Sequence, residues 1–174
     1  MKTIDTSVVP DRARCKHWGT EQLLTSYILH ELLRPRLPEN AVAYLAFTTS
    51  DLWPGKGWNF VFGQASLRER VGVWSLHRFG NLDDSEAAEA LCLRRTFKLA
   101  AHETGHMFSM LHCTAYKCGM CGSNHLDEAD KRPLHFCAEC FAKVCWATKS
   151  DPLRRSRALE EFLVSKGLSE DAEF

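Results

Sequence analysis

The chain carries no excess charge: 22 Lys plus Arg balance 22 Asp plus Glu in 174 residues, for a formal net charge of zero. A balanced surface lacks the basic footprint of a nucleic-acid or anionic-membrane binder, so neither partner is expected. No apolar run approaches the ~18–20 residues that span a bilayer, and Met1 to Pro10 lacks the apolar core of a secretory signal. The expected compartment is therefore the reducing cytoplasm or the nucleus. Internal repeats, low-complexity tracts and heptad seams are also missing. At this length one domain over residues 1–174 is expected, because the chain is long enough for one hydrophobic core and too short for two full ones. In a reducing compartment the eight cysteines read as metal ligands or buried thiols before they read as disulfides.

What is present begins with a lead-in, residues 1–19, irregular or strand-like. From Thr20 the apolar residues Leu23, Leu24, Tyr27, Ile28 and Leu32 fall at helical spacing, and Pro35 and Pro38 stop the pattern. Ala41 to Thr48 is apolar on both faces and suits a strand buried inside a sheet. Ser50 to Asn59 is punctuated as a loop by Trp53-Pro54-Gly55 and Gly57, and Phe60–Phe62 and Val71–His77 read as two more strands. Asp83 followed by Glu86 has the spacing of a capping box, opening one long helix rich in Ala, Leu and Arg that runs into His102. A short helix from Ala138 carries Phe141 and Val144. Asp151-Pro152 caps a last helix with the stripe Leu159, Phe162 and Leu163, so residues 150–174 form a C-terminal helix and a frayed tail.

The chemistry concentrates in His102 to Cys113, HETGHMFSMLHC. His102 and His106 are four apart, so on a helix both imidazoles leave one face at a separation that suits a single Zn²⁺. Glu103 stands beside them, in the arrangement where the carboxylate takes a proton from water instead of binding the metal. A third neutral ligand leaves one position open for water, and His112 is the candidate. On an unbroken helix His112 lies about 240° around from His106, so the helix has to end and turn between Met107 and Met110. Cys113 with Cys118 and Cys137 with Cys140 are spaced as two pairs of thiolates for a closed tetrahedral zinc site. Cys121 and Cys145 are alternative ligands for that site, and Cys15 and Cys92 read as buried thiols.

HETGHMFSMLHC, then Cys118-Gly-Met120, then Cys137-Ala-Glu-Cys140, resembles the signature of the archaemetzincins. The segments DLWPGKGWNFVFGQASLRERVGVWSLHRF and GSNHLDEADKRPLHFC are also similar to that family, so the resemblance covers Thr20 to Trp146. It implies a catalytic zinc on His102, His106 and His112, Glu103 as general base, and a structural zinc on Cys113, Cys118, Cys137 and Cys140. It further implies Met120 as the methionine of a turn beneath the catalytic metal. Phe62, Gly63, Gln64 and Ala65 then belong to a sheet-edge strand that pairs with an extended substrate. Two departures stand out. Ser109 occupies the turn position where the family has glycine, at a cost on the order of 1 kcal/mol if its φ is positive. Only nineteen residues precede Thr20, where the family has a further strand-helix-strand, so either a smaller sheet or a shortened form of the chain is expected.

The expected architecture is thus α/β of metzincin type, with a small twisted mixed sheet, a backing helix, an active-site helix and a lower part braced by a four-cysteine zinc. The expected function is a zinc metallopeptidase acting on peptide or protein substrates, with two Zn²⁺ per chain and cleavage near peptide ends, as an aminopeptidase. The alternative is a catalytically weak, zinc-stabilised module that binds peptides or proteins.

Overall fold

A computed structural model describes residues 3–17, 19–80 and 85–171. The chain divides into two compact units, Met1–Arg78 and Phe79–Phe174.

The first unit holds β1 (Arg14–His17), β2 (Thr20–Leu24), β3 (Tyr44–Thr48), β4 (Asp51–Trp53), β5 (Gly63–Ser66) and β6 (Val71–Ser75). They form two three-stranded sheets, β1-β2-β4 and β3-β6-β5, each mixing parallel and antiparallel pairs. The mixed sheet expected from the sequence is therefore present in two parts. Two 3-10 turns, Thr6–Val8 and Asp11–Ala13, lead into β1.

Thr20–Leu24 is strand, not the first turn of a helix. Leu23, Leu24 and Tyr27 imitate helical spacing, but β2 has ladder partners on both sides, Arg14–His17 and Asp51–Trp53. The buried Gln22 amide adds hydrogen bonds to Asp51 Oδ2 and the Asn59 carbonyl, both 2.8 Å. The helix starts at Thr25 as α1 (Thr25–Tyr27), widens to a π-helix over Ile28–Leu33 and tightens to a 3-10 turn at Arg34–Arg36. The wide turn keeps Ile28, Leu29, Leu32 and Leu33 all buried, in one cluster with Leu23, Leu52, Val71 and Val73.

The segment read as an interior strand, Ala41 to Thr48, supplies β3, and β3 lies at an edge: among the described residues it bonds only to β6, and Phe47 is 41% exposed. The interior strand is β6, buried at every residue, with the Trp74 indole lying where a Cβ on Gly63 or Gly72 would stand. The expected loop Ser50–Asn59 contains β4. Phe60–Phe62 is not a strand of its own; Val61 makes an isolated bridge to Leu52, and the strand follows at Gly63. Asp51 is 1% exposed and takes two hydrogen bonds from Arg78, at 3.1 and 2.8 Å. Burial pushes its carboxyl up, but the bonds from Arg78 and Gln22 outweigh that and hold it below its ordinary value.

The second unit holds α2 (Glu86–Met107), α3 (Leu126–Asp130), α4 (Ala138–Thr148) and α5 (Pro152–Ser165). The expected cap Asp83 lies outside the described residues; Ser85 caps α2, its Oγ accepting from Ala88 N at 3.1 Å. Asp151 caps α5, accepting from Arg154 N at 2.7 Å, with Pro152 at the first helical position. Arg95 on α2 grips the Asp130 carboxylate with Nε and Nη2 (2.9 and 2.5 Å), and Lys98 Nζ donates to the Asp130 carbonyl at 2.9 Å. Two cations on one helix thus hold the C-terminal end of α3, where the helix dipole favours positive charge. Among the described residues no helix is long and apolar enough to cross a membrane.

Candidate metal centres

His102 and His106 face the same side of α2, with ring centroids 4.6 Å apart. The helix then stops by a Schellman motif: Met110 N donates to the Gly105 carbonyl (3.1 Å) and Ser109 N to the His106 carbonyl (2.8 Å). The residue that must turn left-handed is Ser109, at φ +62°. Glycine is the usual occupant of that position, and a side chain there costs on the order of 1 kcal/mol. The turn brings His112 back, with centroids 5.3 Å from His102 and 5.0 Å from His106. One nitrogen of each of the three histidines falls in a group whose atoms all lie within 4.8 Å of one another.

The hydrogen bonds behind the rings set their chemistry. His102 Nδ1 meets the Gly119 carbonyl at 2.8 Å, and His106 Nδ1 meets the Met110 carbonyl at 2.7 Å. A carbonyl only accepts, so each Nδ1 carries the hydrogen and each Nε2 presents its lone pair. Those two Nε2 atoms are 2.9 Å apart. Burial, first of the causes, holds His102 below its ordinary pKa, and with each Nδ1 hydrogen directed at a carbonyl the two Nε2 lone pairs face each other. A cation between them removes the conflict. Two Zn–N bonds of 2.0–2.1 Å at the tetrahedral angle separate nitrogens by about 3.3 Å, a small outward adjustment from the observed distance. His112 is likewise held below its ordinary pKa, by burial first and then by the other two histidines, while Glu103 acts in the opposite direction. These donors fit a Zn²⁺ with an open position.

The four cysteines of the two expected pairs also converge. Cys113, Cys118, Cys137 and Cys140 place their sulfurs within 4.8 Å of one another, with Cys113 and Cys137 at 3.9 Å. That spacing is too long for a disulfide and close to the roughly 3.8 Å edge of a tetrahedron with 2.3 Å Zn–S bonds. Backbone N–H groups of Met120 and Cys137 donate to Cys118 Sγ at 3.4 and 3.2 Å, an arrangement that favours a thiolate acceptor. Hydrogen bonds from the backbone at Tyr116 and Ala115 lower the Cys113 thiol to about 7, whereas burial raises Cys118 and Cys140. Cys121 stays outside the group, with its Sγ donating to the Tyr116 carbonyl at 3.1 Å, and Cys145 is buried in α4. Cys92 is a buried free thiol and Cys15 a partly buried one.

One strip of backbone serves both clusters. His112 and Cys113 are consecutive, and Cys113 N donates to the Met120 carbonyl at 2.9 Å. Met120, fully buried, occupies the space above Gly105, where a Cβ would stand 2.4 Å from its sulfur. Gly119 accepts from His102 and donates to the His135 carbonyl at 2.8 Å. Gly122 lies under the third imidazole, 2.8 Å from its Nδ1 if a Cβ is added. Reading the sequence alone passes over these three glycines. The available signal is Gly105 itself, since glycine inside a helix costs about 1 kcal/mol against alanine and calls for a packing reason.

Phe62, Gly63, Gln64 and Ala65 belong to the first unit. Gly63–Ser66 is β5, bonded on one side to β6 and carrying no strand on its other side among the described residues. Gln64 Oε1 accepts from Thr25 Oγ1.

The model of peptidase family M54 matches residues 40–145, a stretch that contains both clusters. Human archaemetzincin-2 is 34% identical over 159 residues, 76% of this chain and 44% of that protein. The chain thus spans about half the length of the archaemetzincin-2 proteins it matches. The crystal structure of archaemetzincin from Methanopyrus kandleri superposes with a TM-score of 0.63 at 34% identity, covering 80% of this chain and 72% of that one. A zinc-dependent peptidase from Methanocorpusculum labreanum superposes with a TM-score of 0.57 at 28% identity, covering 70% and 74%. In sequence and in fold, then, the chain is similar to the archaemetzincins, and it belongs to peptidase family M54.

Proposed function

We propose that the chain is a zinc metallopeptidase that hydrolyses peptide or protein substrates, with a catalytic Zn²⁺ on His102, His106 and His112 and a structural Zn²⁺ on Cys113, Cys118, Cys137 and Cys140. The observation that carries this reading is the pair of facing Nε2 lone pairs at 2.9 Å, with the third imidazole beside them. When bound, the catalytic zinc supplies a Lewis acid that polarises a carbonyl and makes water acidic near neutral pH. The rest is work for the chain. Glu103, next to His102 on α2, takes the proton from the attacking water and returns it to the leaving amine. Gly119 and Met110 hold the helical imidazoles in the tautomer that keeps Nε2 free for the metal. Met120 supports the helix beneath them by filling the space over Gly105. Backbone groups of Phe62, Gly63, Gln64 and Ala65 offer an extended peptide the open edge of β5.

The test compares wild type with Glu103→Ala on a peptide library with free and blocked amino termini. The expected outcome is unchanged metal content and a loss of roughly 10²–10⁴ in rate. Equal cleavage by both proteins removes the peptidase reading. Preference for free amino termini supports aminopeptidase action, and indifference to blocking refutes that finer assignment. The alternative, a catalytically weak zinc-stabilised module that binds peptides or proteins, draws on the left-handed Ser109 (φ +62°); cleavage by wild type that Glu103→Ala loses while keeping its metal counts against it.

A further inference from the structure

A cavity of about 510 Å³ lies within the second unit, walled mainly by Phe97, Phe136, Phe141, Leu159 and Phe162, with Arg155 in its lining. The size falls in the range of about 300–1,000 Å³ typical of small-molecule sites, and the wall is mostly aromatic and aliphatic. Cys137 of the thiol cluster touches its wall, but α5 supplies Arg155, Ser156, Leu159, Phe162 and Leu163 and contributes no metal donor. Arg155 gives the cavity its chemistry. Its Nε is shielded from solvent and has no hydrogen-bond partner, and its guanidinium joins no ion pair among the described residues. Nε is closed to the cavity as well as to bulk solvent, so a ligand meets the guanidinium at its outer nitrogens, and the anion that best matches that fork is a carboxylate. A single arginine suits a singly charged head better than a phosphate dianion, which would leave charge uncompensated in an apolar wall.

We propose that this cavity binds an amphiphilic monocarboxylate, an apolar chain or ring body in the aromatic pocket with its carboxylate on Arg155. Two sources share that chemistry, a free fatty acid and the apolar C-terminal residue of a peptide. The site is independent of the peptidase reading, and Glu103→Ala keeps it.

Calorimetric titration of the full zinc-loaded chain with two matched pairs tests this: decanoate against decanol, below their aggregation limits, and N-acetyl-Leu-Phe with a free against an amidated carboxyl. The expected result is that at least one carboxylate binds about tenfold or more tightly than its neutral partner. The pair that shows the preference identifies the source. Arg155→Gln is expected to erase the preference while the apolar probe still binds. Ser156→Phe and Leu159→Trp, two separate ways to fill the cavity, are expected to abolish binding, with folding checked by metal content and circular dichroism. Failure of all four probes to bind wild type overturns the proposal, as does a carboxylate preference that survives Arg155→Gln.

Discussion

At the histidine cluster His112 is exposed and the two helical imidazoles are half-buried, while at the cysteine cluster Cys113 and Cys137 are half-buried and Cys118 and Cys140 are 0% and 3% exposed. Three neutral imidazoles leave a tetrahedral ion one coordination position and its full double charge; four thiolates fill every position and reverse the sign. The two sets share the strip from His112 to Met120, yet one has an exposed member and none fully buried, while the other buries two of its four donors. Position in the chain therefore does not decide what a metal site is for. Donor type and access do.

The largest effect that separates the two comes from removing one ligand of each. Cys137→Ala should lose one zinc and cost the second unit several kcal/mol, because zinc binding at a closed thiolate site is folding free energy. His106→Ala should also lose one zinc but keep most of the thermal stability. Metal analysis beside melting curves reads both, and equal losses of stability would erase the distinction. Next in size is Gly122→Ala. A Cβ 2.8 Å from His112 Nδ1 displaces the third imidazole, so a chelator competition should show histidine-site affinity down about 10–100-fold with the cysteine site untouched.

A smaller difference appears inside the cage once a chelator has stripped it. The Cys113 thiol sits at about 7, so it is about half thiolate at neutral pH and its alkylation rate should climb as pH rises through 7 and then level off. Cys118 and Cys140, raised by burial, should lag at every pH below their own higher values. Peptide mass mapping of timed iodoacetamide reactions gives the order, and a first reaction at Cys140 would contradict it. The smallest expected change is Ser109→Gly. Relief of the left-handed backbone, less the extra freedom glycine has when unfolded, leaves a gain of about 0.5–1 kcal/mol and no change at either metal site.

The donors of both clusters are legible in the sequence because their spacing is local: four residues along a helix, and paired cysteines a few residues apart. The required break after Met107 is legible too, since geometry forbids His112 on a continued helix. The caps are mostly so; Asp151-Pro152 acts as written, while at α2 the cap is Ser85. What could not be read depends on partners far along the chain. Thr20–Leu24 is a strand because Asp51–Trp53, three residues within a stretch punctuated like a loop, pair with it. Ala41–Thr48 has the composition of an interior strand, but among the described residues only β6 pairs with it. The glycines beneath Met120 and His112 and the cavity around Arg155 likewise depend on which helices meet.

The Gly119 carbonyl that orients His102 is delivered by the stretch between Cys113 and Cys121, whose course is pinned by Cys113 and Cys118. During synthesis His102 and His106 emerge well before Cys137 and Cys140, so the nascent chain first exposes a two-histidine stub with nothing to aim it. Closing the cage supplies both the carbonyl and the direction of His112. The first zinc equivalent is thus expected at the cysteines and the second at the histidines, so the cluster proposed to face substrate is finished last.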